Sequence, residues 1–463
     1  MVPSDNFGYL YIYAWEWLGL PFYLFAIIFM ASLYQRRKLK ENSIYQYYLQ
    51  GLFIKLFGGI GFALVYYFYY KSGDTFSYYE SALTMKNLFF HSIPDWANNQ
   101  FHKASYENYA LFNTKTGYPL RYMYYDSQTF TVIKLVTPLM FVTFGGYLLS
   151  SVIIAWLSYA GLWRLLLVFS AYYPHLKKQF FIAIICFPSV IFWGSGILKD
   201  TITLSASGWA VYAIYNTFII KNKRLKYGLI LLLALYLIIS IKPYIFMALL
   251  PGSLVWVFSH RLYKIRNTLI RILIIPFIFV LCVFGGYYLL DNLKGYMGKF
   301  AIDKVATTAA VTENDLKQDY YAGHSFDIGA FENTPIGYIK IFPKALIAGL
   351  FRPFLWEVGN AVMLLSGLEN AYLLYLALLV FKRSNPVTLF KRILTEPMLF
   401  FSFSFSIFFA FAVGLTTANF GALVRFKIAY LPFIVCVFYI LSEKRKKTDS
   451  VEYSSEEVST TLS

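Results

Sequence analysis

Long apolar segments separated by short polar connections run along almost the whole chain. Stretches of about 17 to 25 mostly apolar residues are long enough to cross a lipid bilayer as α-helices. By this criterion the sequence predicts membrane spans near residues 11–34, 46–70, 129–170, 179–198, 200–220, 227–241, 244–259, 268–289, 360–381, 397–416 and 428–442. The pattern therefore predicts an all-α fold, a polytopic membrane helical bundle of about 11 transmembrane helices.

The spacing of the apolar segments also divides the chain into a membrane domain and a tail. The predicted membrane domain covers 1–447 and contains two large outer loops, at about 71–128 and 291–343. The segment 129–170 is too long for one crossing, so its first part, around Ile133 to Phe144, is predicted to be an interfacial or re-entrant helix. The tail 448–463 is polar and acidic, and we expect it to be disordered.

Clusters of lysine and arginine fall on alternate connections between the predicted spans. They occupy 36–40, 177–178, 221–226, 261–271, 382–392 and 444–447. Short cytoplasmic loops retain basic residues during membrane insertion, so these connections are predicted to be cytoplasmic. The N-terminus and both large loops are then predicted to lie outside, with the C-terminus in the cytoplasm. The chain carries no organelle-targeting signal that we recognise, and we expect it in a bacterial inner (plasma) membrane.

Composition and charge agree with a membrane protein and argue against other classes. Hydrophobic residues make up 58% of the chain and charged residues only 14%, whereas soluble domains carry about 25% charged residues. The net charge of +17 lies mostly in loops that flank spans, so it indicates orientation and not a nucleic-acid partner. Cys186, Cys282 and Cys436 all lie in apolar segments and form neither a disulfide framework nor a metal site.

A small set of charged residues falls at the predicted outer ends of the spans. Asp74 opens the first outer loop, and Lys199 and Asp200 occupy a tight turn between two spans. The full set is Asp74, Lys199, Asp200, Lys242, Arg352, Arg425 and Lys427. Short outer connections normally lack basic residues, so cations retained there suggest a functional use.

Lysine and arginine that converge at a membrane surface suit one kind of ligand, a lipid-linked phosphate or pyrophosphate. Such a group accepts charge-assisted hydrogen bonds from ammonium and guanidinium groups. Beside it, Asp74 would provide the carboxylate that transfer to a hydroxyl group requires. The charges therefore indicate an outward-facing transferase that acts on a lipid-linked substrate.

Each of these residues also has a structural interpretation. Asp74 and Asp200 can cap the helices that begin beside them. The lysines and Arg425 can extend to the phosphates of bulk membrane lipids, as cations at helix ends often do. Arg352 can pair with the nearby Glu357. The sequence alone leaves both interpretations open.

Together these motifs resemble the GT-C glycosyltransferases, polytopic enzymes that use polyprenyl-phosphate sugars. The resemblance covers about 67–440 and rests on Gly73-Asp74 after Tyr69-Tyr70, the Lys199-Asp200 turn, Lys242-Pro243-Tyr244, and Arg425-x-Lys427 before the last span. It implies that Asp74 is a general base or orients the acceptor hydroxyl, and that Asp200 assists in binding the acceptor or a metal. It assigns the lipid phosphate to the basic residues Lys199, Lys242, Arg352, Arg425 and Lys427.

The chain also departs from that family. An additional predicted span precedes Asp74, no soluble domain follows the last predicted span, and the paired acidic metal motif of oligosaccharyltransferases is missing. We therefore expect metal-independent transfer that requires no cofactor, since no motif supports a divalent metal.

The predicted partners are a polyprenyl-phosphate-linked sugar, a glycan, lipid or protein acceptor, and membrane lipids, without nucleic acid. Two other classes share parts of the pattern. An O-antigen or polysaccharide polymerase or ligase would use a similar scaffold but depend on outer-loop arginine and histidine more than on Asp74. A flippase or transporter of lipid-linked sugars would place ionisable residues along several helices at the membrane midplane, where this sequence has only Glu16 and Lys55 as candidates.

Overall fold

The structure, a computed structural model, is mainly helical in the part of the chain that it describes. It describes residues 10–262, 326–329, 334–417 and 419–443, together with the single positions 277, 281 and 285. Within these residues 83% are helical and there is no strand, so the predicted all-α fold is confirmed.

The helices are numbered in chain order. The first thirteen are α1 (Ala14–Leu39), α2 (Tyr48–Val65), α3 (Asp74–His91), α4 (Ile93–Phe101), α5 (Tyr106–Tyr109), α6 (Arg121–Tyr125), α7 (Ser127–Val142), α8 (Tyr147–Tyr172), α9 (Lys177–Ile185), α10 (Pro188–Trp193), α11 (Lys199–Ile214), α12 (Arg224–Ile241) and α13 (Pro243–Leu262). After residue 333 follow α14 (Pro335–Phe351), α15 (Ala361–Arg383), α16 (Pro386–Thr395), α17 (Pro397–Thr416), α18 (Phe420–Lys427) and α19 (Leu431–Ser442).

Among the described residues, 6 helical segments are long and apolar enough to cross a membrane. They are Ala14–Leu39, Ser43–Tyr70, Tyr147–Tyr172, Arg224–Ile241, Met363–Arg383 and Pro397–Thr416. The pair α18 and α19, bent by 66°, makes a seventh if it counts as one span. These helices are those of a membrane-embedded protein, and the count of about 11 spans stays a prediction.

The structure corrects two boundaries. The continuous helix predicted over 179–198 is wrong, because α9 ends before Cys186 and α10 begins at Pro188, which has no N–H and disfavours helical backbone in the residue before it. The predicted end of the second outer loop, at about 343, is also wrong, because α14 begins at Pro335. Thr334 caps α14 by accepting a hydrogen bond from the Gly337 N–H, and Pro335 occupies the first helical turn.

The long segment 129–170 is divided into two helices, as expected. Between α7 and α8 the backbone turns at Phe144 and Gly145, whose φ angles are 53° and 86°. The first predicted outer loop, 71–128, is occupied largely by α3, α4, α5 and α6. The predictions for 291–325 and for the tail 448–463 lie outside the described residues, as does most of the span at 268–289.

The described residues form two compact units. The first comprises those of Met1–Trp163, Ile191–Ala206 and Tyr236–Lys242. The second comprises those of Arg164–Val190, Ser207–Leu235 and Pro243–Ser463. The sequence predicts one membrane domain over 1–447, and that boundary stays a prediction.

At one end of the first unit, hydrogen bonds connect the starts of three helices. The buried carboxylate of Glu16 accepts hydrogen bonds from the backbone N–H of Leu148 at 2.8 Å and of Tyr13 at 3.1 Å. The hydroxyl groups of Thr75 in α3 and Tyr147 in α8 lie 3.4 Å apart. The starts of α1, α3 and α8 therefore lie at the same end, and Glu16 has a structural use in joining two of them.

Tyrosine contacts join the other end of the first unit. The hydroxyl groups of Tyr34 in α1 and Tyr45, just before α2, lie 3.3 Å apart. The Tyr159 hydroxyl of α8 donates to the carbonyl of Tyr48 at the start of α2, at 2.6 Å. In this unit α1 and α8 therefore run parallel to each other and antiparallel to α2.

Two helices of the second unit cross at glycines. A methyl group added to Gly414 in α17 would lie 1.9 Å from the carbonyl oxygen of Ala345 in α14. One added to Gly349 in α14 would lie 2.0 Å from the carbonyl oxygen of Ala410 in α17. Such close backbone approach through small residues is typical of helix pairs in membranes, where van der Waals packing replaces the hydrophobic effect.

A matched pair of glycines in α2 tests the packing of the first unit. A methyl group at Gly58 would lie 2.3 Å from the carbonyl oxygen of Ile191, whereas one at Gly61 would meet no atom within 4 Å. We expect Gly58→Ala to cost about 1–3 kcal/mol of stability, because backbone must shift to accept it, and Gly61→Ala to have little effect. Melting of the purified protein in detergent, followed by size-exclusion fluorescence, compares them. Equal melting temperatures for the two variants would contradict the close approach of α2 to Ile191.

Candidate functional site

Two sequence-predicted residues, Asp200 and Lys242, form a buried ion pair in the first unit. Asp200 lies in the first turn of α11, and Lys242 directly follows α12. The Lys242 ammonium donates a hydrogen bond to the Asp200 carboxylate, and the two side chains are only 8% and 3% exposed. Removing charges from water is costly, and here the opposite charge of each residue offsets that cost for the other. The pair joins the start of α11 to the end of α12.

Lys199, next to this pair in the chain, contacts another acid, Asp126. Its ammonium donates to the Thr129 hydroxyl at 2.6 Å and lies 3.4 Å from the Asp126 carboxylate. The Thr129 hydroxyl in turn donates to the same carboxylate oxygen at 2.5 Å. The side chains of Lys199 and Asp126 are both partly exposed. A cation and a carboxylate are therefore held together where solvent can reach them.

Helix starts explain why these charges occur at this position. Asp126 immediately precedes α7, and Asp200 lies in the first turn of α11. The N-terminal end of a helix carries unsatisfied N–H groups and a partial positive charge, which stabilise a nearby carboxylate. Both acids therefore lie in places that favour their ionised form.

Asp74 begins α3 in the same unit and is partly buried. Gly73 before it has a φ of 122°, which glycine adopts without strain. A methyl group at Gly73 would lie 2.9 Å from the ring of Tyr66. The centroid of that ring is 6.4 Å from the ring of Trp193, in the segment that leads to Lys199. Tyr66 therefore contacts both the turn at Asp74 and this segment.

Sequence reasoning missed Asp126, Thr129 and Glu80. Asp126 directly precedes an apolar helix, the usual position of a capping residue, and this signal could have identified it. No local pattern in the sequence links Asp126 to Lys199. Glu80 is a half-buried acid in α3, and burial raises the pKa of its carboxyl above the ordinary value. Glu80 therefore holds its proton to higher pH than an exposed glutamate.

In the second unit, Arg352 has the partner that its structural interpretation named. The Nε of Arg352 lies 3.1 Å from Oε1 of Glu357. Its guanidinium carbon is 5.0 Å from the ring centroid of Phe326, a cation–π distance. Glu357 also accepts a hydrogen bond from the Phe354 N–H at 2.8 Å. These contacts favour a structural use for Arg352.

Lys427 is fully buried in the second unit, which disagrees with the interpretation that its ammonium extends to the phosphates of bulk membrane lipids. Its ammonium donates to the carbonyls of Leu350 and Arg352, both at 2.8 Å, and to the side-chain oxygen of Asn370 at 2.7 Å. An ammonium has three N–H donors, and these bonds use all of them. Lys427 lies there because the carbonyls at the end of α14 need donors where no helical N–H follows.

Arg425 and Glu369 are two further polar residues of the second unit. Arg425 lies on α18 and is partly buried. Glu369 is buried in α15 and accepts a hydrogen bond from the Ser189 N–H at 2.7 Å. An acid inside an apolar span was the signal that sequence reasoning overlooked. Ser189 lies in the first turn of α10, so Glu369 satisfies a helix start as Glu16 does.

The structure thus divides the sequence-predicted residues between the units. Lys199, Asp200 and Lys242 come together in the first unit, which also contains Asp74. The second unit contains Arg352, Arg425 and Lys427. We refer to Asp126, Thr129, Lys199, Asp200 and Lys242 as the Lys199 cluster. This cluster, together with Asp74, is the stronger candidate site because its Lys199 and Asp126 charges are partly exposed, whereas the Asp200–Lys242 pair beside them is buried.

The described residues contain no cluster of side chains suited to a metal ion. Within 10–262, 326–329, 334–417 and 419–443, no group of three or more histidine, cysteine, aspartate or glutamate side chains could hold a metal ion. The expectation of metal-independent chemistry stays a prediction.

Known proteins do not identify this site. Comparison of the chain with known protein families, with curated proteins and with solved structures found no match. Function is therefore inferred from the Lys199 cluster and Asp74 themselves.

Breaking the buried pair should destabilise the protein more than breaking an exposed one. We expect Lys242→Met to cost about 3–5 kcal/mol, because it leaves the Asp200 carboxylate without its ammonium partner in a buried position. The double variant Asp200→Asn/Lys242→Met should recover much of that loss. Lys38, which pairs with Glu41 at the surface, is the control, and Lys38→Met should cost about 1 kcal/mol or less.

Melting temperatures of the four proteins in detergent measure these differences. A Lys242→Met protein that melts with the Lys38→Met control would contradict a buried pair that stabilises the fold. A double variant no more stable than Lys242→Met would contradict the unpaired charge as the cause.

Proposed function

We propose that this protein is an integral-membrane glycosyltransferase of the bacterial inner membrane. It would move a sugar from a polyprenyl-phosphate donor to an envelope glycan, lipid or protein acceptor on the extracytoplasmic face. The observation that carries the proposal is the pairing of Lys199 with Asp126 through Thr129, partly exposed and in the same unit as Asp74. The resemblance of the surrounding motifs to GT-C enzymes supports the same activity.

In the proposed reaction Asp74 accepts the proton of the acceptor hydroxyl. The hydroxyl oxygen forms a bond to the anomeric carbon, and the bond from that carbon to the phosphate oxygen breaks. The phosphate leaves with the bonding electron pair, so its negative charge grows in the transition state. A positioned base is worth about 100- to 10,000-fold in rate.

Lys199 would stabilise the charge on the departing phosphate. A cation that is fixed before the reaction requires no reorganisation as charge develops, which makes it more effective than mobile solvent. The hydrogen bond to Thr129 fixes the Lys199 ammonium, and the buried Asp200–Lys242 pair fixes the start of α11 that carries it. Asp200 and Lys242 are therefore positioning residues in this proposal.

Other predicted residues have smaller parts. Arg425 is the candidate of the second unit for a lipid phosphate. The contacts of Arg352 and Lys427 favour structural roles, so the proposal does not depend on either. The polymerase or ligase alternative would instead require Arg121 or the loop histidines, and a flippase would require a path of ionisable residues through the spans.

Replacing Asp74 should abolish transfer while leaving the protein expressed. We expect cells that carry a deletion and Asp74→Asn to accumulate the polyprenyl-linked sugar and to lack one envelope glycan decoration, because the acceptor proton has no base. Lys199→Gln should show the same defect. Glu107→Gln alters an exposed carboxylate of the same connection and should restore the wild-type profile.

Mass spectrometry of lipid-linked and envelope glycans reads all three variants, with membrane-fraction immunoblots to compare their amounts. If Asp74→Asn restores the wild-type profile, Asp74 is structural and base catalysis by it is rejected. If the deletion itself changes no glycan, glycosyl transfer is rejected as well.

The predicted topology places the Asp74 end outside, and single cysteines test this. In a chain whose own cysteines are replaced, Thr114→Cys should react with a membrane-impermeant maleimide in intact cells, because its connection is predicted to lie outside. Asn222→Cys, in the basic cluster 221–226, should react only after lysis. Thr114 and Asn222 are both exposed, so a difference in labelling reports the side of the membrane and not burial within the protein. The reverse labelling pattern would place the candidate site in the cytoplasm and contradict the proposal.

A further inference from the structure

Three neighbouring tyrosine rings lie in contact with one another in the connection that ends at Asp126. The ring centroid of Tyr109 lies 6.1 Å from that of Tyr118 and 5.8 Å from that of Tyr125, with the planes tilted by only 35° and 33°. Tyr118 and Tyr125 are 41% and 45% exposed. We refer to these three rings as the tyrosine platform.

Hydrogen bonds and a buried ring hold the tyrosine platform in place. The Tyr109 hydroxyl donates to the Pro119 carbonyl at 3.1 Å, and the Tyr109 ring lies 5.0 Å from the buried ring of Tyr124. The Tyr124 hydroxyl donates to the side-chain oxygen of Asn99 at 2.8 Å. Burial raises the pKa of Tyr124 to about 12. Rings held in place lose little freedom when a ligand binds, which favours affinity.

The platform leads directly to the candidate site. Tyr125 is the residue before Asp126, whose carboxylate belongs to the Lys199 cluster. Tyr122, on the same short helix α6, donates its hydroxyl to Ser77 in the first turn of α3 at 3.2 Å. The α6 helix is therefore tied to the helix that begins with Asp74. A molecule lying on the platform would have one end close to Asp126.

The chemistry of the platform fits a carbohydrate. Sugar rings present a C–H face that packs on an aromatic ring and hydroxyl edges that need hydrogen-bond partners, and tyrosine offers an apolar face with a polar tip. Arg121 is exposed, with its guanidinium carbon 5.7 Å from the Tyr109 ring centroid, and adds further donors.

The surroundings argue against a lipid-facing surface. The connection that carries Tyr109 and Tyr118 includes the exposed residues Thr114 and Lys115, and the side chain of Asn113 is tied into its own turn. Polar residues of this kind do not face hydrocarbon, because unsatisfied polar groups are costly there. Water and its solutes therefore reach the platform.

We propose that the tyrosine platform binds a carbohydrate chain, the acceptor glycan of the transfer reaction. This inference rests on the proposed function and narrows its acceptor from a glycan, lipid or protein to a saccharide chain. The sugar rings lie on Tyr118, Tyr109 and Tyr125, and the terminal hydroxyl reaches the candidate site formed by the Lys199 cluster and Asp74.

Binding of oligosaccharides to the purified full-length protein tests the proposal. The probes are water-soluble oligosaccharide fractions released by mild acid from the envelopes of wild-type cells, titrated without any donor. We expect Tyr118→Ala and Tyr125→Ala each to weaken binding by about three- to tenfold, the value of one aromatic contact. Tyr118→Phe keeps the ring but lacks the hydroxyl, so it should lose less affinity than Tyr118→Ala. Tyr106→Ala is the matched control, because Tyr106 lies on the same connection and is 71% exposed.

A second measurement requires no variant. Hydroxyl-radical footprinting of the wild-type protein should show that the bound oligosaccharide protects Tyr118 and Tyr125 but leaves Tyr106 reactive. Failure of every fraction to bind, or equal loss of binding in Tyr106→Ala, overturns the proposal. It is also overturned if the alanine variants lose co-purified lipid in native mass spectrometry while their oligosaccharide binding is unchanged.

The Asp74→Asn protein separates this inference from the proposed function. It should keep most of its oligosaccharide binding, because the ring contacts of the platform are unchanged and asparagine still offers an oxygen to the acceptor hydroxyl. Binding without any Asp74-dependent change in cellular glycans supports the platform and rejects transfer at Asp74. Asp74-dependent transfer without oligosaccharide binding supports the transferase and overturns the platform.

Discussion

Helix ends inside a membrane protein must find their hydrogen-bond partners within the protein, because hydrocarbon offers none. Three buried charged residues meet this need. Glu16 accepts from an N–H at the start of α8, and Glu369 accepts from one at the start of α10. Lys427 donates to two carbonyls at the end of α14. An uncompensated backbone group in such a place costs several kcal/mol, so these side chains are needed for the helices to end where they do.

A charged residue in an apolar sequence can therefore either satisfy a helix end or belong to a functional site, and its burial distinguishes the two cases. Lys427 is enclosed and uses all its donors on protein atoms, so it belongs to the fold. Lys199 is partly exposed and lies beside Asp126. Both are lysines next to apolar segments, and both looked alike as candidates for a lipid phosphate. Only the second lies where a substrate can approach it.

The first unit concentrates the groups that the proposed chemistry needs. The turn at Asp74 rests on Tyr66, and the same tyrosine lies against the segment that leads to Lys199. The Asp200–Lys242 pair adds rigidity without exposure. The tyrosine platform ends at Asp126 and is tied through Tyr122 to the helix of Asp74. The proposed base, the proposed cation and the proposed surface for sugar rings therefore belong to the same unit, and holding such groups in place would favour the reaction.

The sequence by itself determined the helical class and most of the long spans, because the length of an apolar segment reflects the thickness of the bilayer. It also contained the local signals of α14 and of the break at Pro188, although length alone had hidden them. The sequence did not determine which of these residues pair with each other. Asp200 with Lys242, Asp126 with Lys199, and Lys427 with the end of α14 join segments that are far apart in the chain. Each residue shows the same local pattern whether it lies at the surface or inside, so only tertiary packing, which decides burial and partner, separated the structural charges from the candidate site.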